Sequence, residues 1–144
     1  GIISSCERRL MIKIQEQDFN LDDELKLITS KHYNVGAVST FIGYVRDINN
    51  NKKVTSIELE VYPEMVKKSL DKICNQAKKK WELIDTLVIH RFGKLNINEK
   101  IVLVAISSVN RKDSIAACNF IMDYLKKDAP FWKKEFYDKN YSWL

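Results

Sequence analysis

The apolar positions change period several times along the chain, and each change marks an element. Residues 55–62 alternate: Thr55, Ile57, Leu59 and Val61 point one way, Ser56, Glu58, Glu60 and Tyr62 the other. That period of two predicts a strand with one polar or functional face. Pro63 then suits a helix start, and Val66, Leu70, Ile73, Ala77 and Trp81 recur at steps of three and four, the stripe of a core-facing helix. Upstream, LMIKIQ (10–15) reads as a first strand. Asn20 looks like the cap of a short helix ending near Thr29, with Asp22 and Asp23 at its positive end. Residues 37–45, AVSTFIGYV, are β-branched and aromatic and predict a strand. Residues 47–53 read as a polar loop around three consecutive asparagines.

Two further strands are expected at 83–92 and 101–109, joined through Gly93 and a polar stretch. The second, IVLVAISSV, is almost wholly apolar and therefore central. A helix over about 112–127 would bury Ile115, Cys118, Met122 and Leu125, and 132–137 predicts a closing strand. The tail carries Tyr141 and Trp143, aromatics of the kind that seek a partner surface such as a second subunit. Strands and helices follow one another too irregularly for a doubly wound fold, so the class is α+β. The 144 residues fit one domain, 1–144.

Composition narrows the chemistry only slightly. A net charge of +5 favours anionic partners. Lysines 67, 68, 72, 78, 79 and 80 surround the apolar stripe of the long helix. They fit a solvated face or a nucleic-acid patch, and no recognition motif accompanies them. No GxGxxG, Walker lysine motif or GxSxG elbow occurs. Two distant histidines and three scattered cysteines make a poor metal site. Wide cysteine spacing and a start without signal-peptide layout lead to the expectation of a cytoplasmic protein, and no apolar run is long enough to span a membrane.

The candidate functional residues are mostly cationic. Arg46, Arg91 and Arg111 each follow a strand, and Arg111 also precedes a helix. Singly, each is an ordinary surface residue or ion-pair partner; together they fit a phosphate or carboxylate pocket. In MDYLKKDAPFWKKE (122–135), Lys126 and Lys133 flank a proline break and two aromatics. On a continuous helix they would stand about 10 Å apart, but Pro130 breaks that geometry. Spacing alone fits two surface lysines beside an aromatic anchor. It equally fits two amines folded around one site for proton transfer or charge stabilisation. Glu58 and Glu60 share a strand face and fit either a site or a set of cross-strand ion pairs.

Four stretches, TFIGYVRDINN (40–50), LEVYPEM (59–65), VIHRFGKLNINEK (88–100) and NRKDSIAACNFIMDYLKKDAPFWKKE (110–135), give the chain a specific resemblance. Over about residues 10–137 it resembles the large, catalytic subunit of molybdopterin synthase. That resemblance implies an α/β hammerhead-type fold with an additional antiparallel β subdomain. It implies sulfur insertion into cyclic pyranopterin monophosphate. The sulfur donor would be the C-terminal Gly-Gly thiocarboxylate of a small ubiquitin-like carrier subunit, with a homodimer at the centre of a heterotetramer. Lys126 would bind or polarise the thiocarboxylate, and Lys133 would do acid–base or charge-stabilising work on the pterin. Arg46 and Arg111 would grip the phosphate; Phe41, Met122 and Pro130 would shape the pocket; His90 and Arg91 match a family pair.

Two departures stand out. Asn110 replaces a usual histidine, which leaves a hydrogen-bonding group for substrate positioning but not a titrating one. Val61 replaces another frequent histidine. A late basic contact from the neighbouring subunit is also implied, with Lys139 as the candidate here. No redox cofactor or protein-bound metal is implied. The alternative reading is a catalytically weak paralogue that scaffolds a ubiquitin-like protein.

Overall fold

The computed structural model describes residues 9–49, 51–137 and 141–144. Its centre is a four-stranded sheet in the order β1-β6-β8-β2. It is built from β1 (Arg9–Gln15), β2 (Ala37–Tyr44), β6 (Leu83–Arg91) and β8 (Lys100–Ser108). β1 runs parallel to β6, and the other pairs are antiparallel.

Every residue of β6 is buried, as are seven of the nine in β8. Both faces are covered, so these strands are apolar in succession rather than alternating. The pleat still sorts them. Val88, Val102, Val104 and Ile106 meet α2 (Pro63–Lys80) and α3 (Arg111–Lys127) through Val66, Leu70, Cys74, Ala77, Ala117, Cys118 and Ile121. Leu87, Ile89, Leu103 and Ala105 face Phe19 and Ile28, the latter from α1 (Leu21–Thr29). Burial of each large aliphatic side chain here contributes about 1.5–3 kcal/mol.

Local chemistry sets the helix ends. The Asn20 side chain accepts from the Asp23 N–H at 3.0 Å, with Asp22, Asp23 and Glu24 in the first turn of α1. Pro63 opens α2, where its missing N–H costs nothing. Asn110 caps α3 by accepting from the Asp113 N–H at 2.9 Å. Beyond α1, His32 Nε2 lies 3.2 Å from the buried Asp85 carboxylate, tying the returning loop to the start of β6.

The second sheet is antiparallel, in the order β10-β9-β5-β7. Its strands are β5 (Ser56–Val61), β7 (Gly93–Asn96), β9 (Phe131–Phe136) and β10 (Tyr141–Trp143). This is the additional antiparallel unit expected beside the main α+β layer. Ile57, Leu59 and Leu95 form its core with Val45 and Val54. Gly93 sits at φ 85°, a left-handed position open to glycine, and lets the chain turn from β6 into β7.

Three expectations need correction. The polar loop over 47–53 contains a hairpin of β3 (Ile48–Asn49) and β4 (Lys52–Lys53), turned through Asn51 at φ 63°. Asparagine tolerates that left-handed conformation, which is why an asparagine-rich stretch can fold back so tightly. The polar connection begins as strand β7, Gly93–Asn96, before it turns into β8. In α3 the buried positions are Ser114, Ala117, Cys118 and Ile121, whereas Ile115 is 53% exposed. Ser114 and Ala117 face the sheet because small side chains let the helix approach it closely. The Ser114 and Ser39 hydroxyls are only 2.8 Å apart.

Candidate functional site

The turn after α3 shapes the surroundings of the candidate amines. The Asp128 and Ala129 N–H groups both reach back to the Tyr124 carbonyl. The Phe131 N–H then bonds the Ala129 carbonyl across Pro130 at 2.9 Å, a three-residue turn that ends the helix and starts β9. Lys126 stands exposed in the last turn of α3. Lys133 lies beyond the turn on β9, opposite Leu59.

Alternation along β9 puts Lys133 and Glu135 on the same, inner face. Glu135 is 1% exposed, yet fully partnered. Asn49 Nδ2 donates to its Oε2 at 2.8 Å, the Tyr137 hydroxyl donates to Oε1 at 2.9 Å, and Lys133 Nζ lies 3.8 Å from Oε2. The Tyr137 oxygen also lies 3.1 Å from Ser142 Oγ on β10. Asn49 Oδ1 in turn accepts from Arg46 Nη2 at 3.4 Å. A continuous polar chain therefore runs Arg46–Asn49–Glu135–Lys133. It lines a small recess of about 50 Å³ together with Tyr44, Val45, Ile57 and Ile101.

The two cations of this chain keep free donors. Arg46 is exposed and makes one long contact among the described residues, and the Lys133 side chain is 40% exposed. Both can present N–H groups to an anion while Glu135 fixes the lysine stem from below.

A second recess, about 360 Å³, lies between β2 and α3. Phe41 and Met122 line it with Ser39, Thr40, Ile115, Cys118 and Asn119. Burial pushes the Cys118 thiol up to about 11, so it is an apolar wall rather than a nucleophile. Arg111 is exposed at the first turn of α3, beside its cap Asn110. The Asn110 side-chain oxygen is already engaged by the Asp113 N–H.

His90 and Arg91 sit elsewhere in character. His90 is 7% exposed and stacks on Phe131 at 3.9 Å between ring centroids. Its Nδ1–H donates to the Arg91 carbonyl at 2.8 Å. Burial lowers its pKa to about 4, with that hydrogen bond opposing the shift, so the ring is neutral near neutral pH. Arg91 donates to the carbonyls of Glu16 at 3.0 Å and Lys100 at 2.9 Å, and lies 3.5 Å from the Glu99 carboxylate. The structure thus places Arg46 with Lys133, and Phe41 with Met122. It sets Asn110 beside Arg111 at the start of α3 and Lys126 near its end. Pro130 makes the turn, and Lys139 lies outside the described residues.

Asn49, Glu135 and Tyr137 were not singled out from the sequence. Glu135 was within reach, since period two along the predicted closing strand puts it on the face of Lys133. Asn49 carries no such signal, because its placement depends on the β3–β4 hairpin.

The comparisons with known proteins agree with one another. The family model described as MoaE protein matches residues 14–128. The molybdopterin synthase catalytic subunit of Ralstonia nicotianae is 52% identical over 124 residues, 86% of this chain and 70% of that protein. The protein of the same name from Vibrio cholerae is 44% identical over 133 residues, 92% of this chain and 88% of that one. Among solved structures, the molybdopterin biosynthesis MoaE protein from Burkholderia ambifaria superposes with a TM-score of 0.82 at 41% identity, covering 94% of this chain and 88% of that one. Molybdopterin synthase from Staphylococcus aureus gives a TM-score of 0.85 at 31% identity, covering 92% and 95%. With the family model matching most of its length and relatives and solved structures this similar, the chain belongs to the MoaE protein family.

Proposed function

We propose that the chain is the catalytic subunit of a molybdopterin synthase, a sulfurtransferase that converts cyclic pyranopterin monophosphate to molybdopterin. The curated relatives at 44–52% identity carry that catalytic-subunit name. The sulfur comes from the C-terminal thiocarboxylate of a small ubiquitin-like carrier. A structural neighbour from Helicobacter pylori is described as a complex of subunits 1 and 2 of molybdopterin-converting factor. At 22% identity that neighbour speaks for the fold, and its two-subunit make-up is the precedent for the partner proposed here.

The observation that carries the reading is the recess holding Arg46 and Lys133 over the buried Glu135. The substrate phosphate and the carrier terminus are both anions. Arg46 grips the phosphate, and Arg111, at the far end of β2 and of α3, joins it only from a neighbouring copy of the chain; Lys126 polarises the thiocarboxylate, and Lys133 stabilises charge or moves a proton on the pterin. An ammonium set in place beforehand stabilises negative charge as it develops, without reorganising at the moment of reaction. Phe41, Met122 and Pro130 shape the walls. Asn110 positions the N-terminal end of α3 toward the substrate through its capping bond, and Lys139 reaches a neighbouring subunit's site in a homodimer within a heterotetramer. The exposed apolar residues Phe41 and Ile115 on the β2–α3 face suit such a subunit contact. Two sulfurs are transferred, so a spent carrier leaves and a loaded one returns, which favours a partly electrostatic interface. The setting is cytoplasmic.

The scaffold alternative drew its support from Asn110. In the structure Asn110 does a helix cap's work, and both lysines and both pocket arginines are present. The test is single-turnover conversion of cyclic pyranopterin monophosphate with thiocarboxylated carrier, the pterin product being oxidised and read by fluorescence. Product with the loaded carrier and none with the plain carboxylate supports the reading. A folded, carrier-binding protein that forms no product overturns it.

A further inference from the structure

The inner face of the second sheet holds the polar chain described above; its outer face holds something different. A trough of about 570 Å³ runs across it, within the usual range of ligand clefts. Tyr62, Phe92, Trp132 and Trp143 make its walls, and Glu58 and Glu60 stand among them. Three of those rings are well exposed: Tyr62 at 64%, Trp132 at 44% and Trp143 at 50%.

The walls are held in place. Tyr62 and Trp132 meet edge to face, with centroids 5.6 Å apart and planes at 86°. Trp143 is flanked by Lys134, which stands between it and Glu58 in register and whose ammonium lies 3.8 Å from the Tyr141 ring centroid, 5.1 Å from that of Trp143 and 5.3 Å from that of Phe136. The same cage bears on the carboxylates. Register places Lys94 and Lys134 on either side of Glu58, and Trp132 beside Glu60. Lys94 lies over the Phe136 ring at 5.9 Å, and Lys134 is drawn into its cage. Among the described residues neither Glu58 nor Glu60 has a hydrogen-bond or ion-pair partner.

Exposed aromatic faces beside two unpaired carboxylates suit a flat cation above all others. A guanidinium stacks on indole and presents forked N–H donors to carboxylate oxygens. The lining of the trough carries two carboxylates and no cation, with Lys94 and Lys134 flanking Glu58 outside it. The trough is also far larger than one guanidinium, and the extra wall is aromatic. Gly93 lines it at the start of β7, an edge strand of its sheet among the described residues.

We infer that this trough docks an extended segment of a protein partner, with an arginine side chain seated between the aromatic walls and its guanidinium on Glu58 and Glu60. The inference rests on the outer face alone and is independent of the sulfur-transfer reading.

The test uses the full chain labelled with ¹⁵N and follows the three indole N–H signals. The probe is a capped peptide with one arginine between valines; its control replaces arginine with the neutral isostere citrulline. At about 1 mM, the weak end of specific recognition, the arginine peptide shifts Trp132 and Trp143 and leaves Trp81 in place. Citrulline binds at least about tenfold more weakly, and a Glu58→Gln, Glu60→Gln double variant removes that preference. No shift of Trp132 and Trp143, equal binding of the two peptides, or an unchanged preference in the double variant would overturn the inference. The remaining amide signals of the same spectra show that the variant is folded.

Discussion

Arg46 and Arg91 look alike in the sequence: each follows an apolar strand at its exit. Their surroundings differ completely. Arg91 is 6% exposed, and its guanidinium bonds the Glu16 and Lys100 carbonyls with Glu99 alongside. Arg46 is exposed, and its contact among the described residues is a 3.4 Å bond to Asn49. One guanidinium ties β1, β6 and β8 together at the end of the main sheet. The other stands at the rim of a recess with donors to spare. The lysine and histidine near them divide the same way. Lys133 is a half-exposed ammonium held on a buried carboxylate, whereas His90 is a buried neutral ring under Phe131. A cation acts on a substrate only where the fold has left its donors unused.

The largest effect expected from this contrast is on catalysis. Replacing Lys133 with Ala should lower the single-turnover rate by about 10²–10³-fold, the usual loss when one pre-positioned charge is removed. Its urea unfolding midpoint should fall by less than that of Arg91→Leu, since the side chain is 40% exposed and Asn49 and Tyr137 keep their bonds to Glu135.

The next is a pH effect on stability. The His90 pKa is depressed to about 4 in the fold and lies near 6.5 when unfolded. Above pH 6.5 the ring is neutral in both states and costs nothing. As pH falls from about 6.5 to about 4, the unfolded chain takes up the proton first and stability drops, by up to about 3 kcal/mol. Urea titrations across that window should show the drop, and His90→Gln should flatten it.

The smallest is local. Asn110→Ala removes the cap of α3 and should lower stability by about 1 kcal/mol. Asn110→Ser should recover most of that loss, and thermal melts of the two variants decide it.

The sequence pattern was legible where one face of an element is buried and the other is not. The stripe of α2 and the alternation of β5 follow directly from their residues, and Val66, Leu70 and Ala77 are buried as read. In α3 the pattern misled because large apolar residues were taken for the core. The helix packs through Ser114, Ala117, Cys118 and Ile121, with Met122 and Leu125 partly buried against the same core, and leaves Ile115 exposed. Periodicity reports which side chains are apolar, not which of two apolar faces the sheet will accept. The hairpin at 48–53 was illegible for another reason. Strands of two residues show no alternation, and the turn depends on a single left-handed Asn51. With it went Asn49, and so the link between Arg46 and Glu135. The amines at 126 and 133 were visible from the proline break between them, and Glu135 was within reach two residues beyond Lys133; its burial under Asn49 and Tyr137 was not, because that depends on the hairpin and on the end of β9.

The most direct measurement compares Lys133→Ala with Arg91→Leu in the same two assays, single-turnover conversion of cyclic pyranopterin monophosphate and urea unfolding. Loss of the buried Arg91 contacts should cost about 3 kcal/mol of stability, with the folded fraction still turning over within about threefold of the parent, less than the factor of ten that 1.4 kcal/mol would make. Lys133→Ala should show the reverse, a collapsed rate with the smaller loss of stability. If Lys133→Ala turns over like the parent, or if folded Arg91→Leu loses conversion as completely as Lys133→Ala is expected to, then availability of the cation is not what separates the two sites.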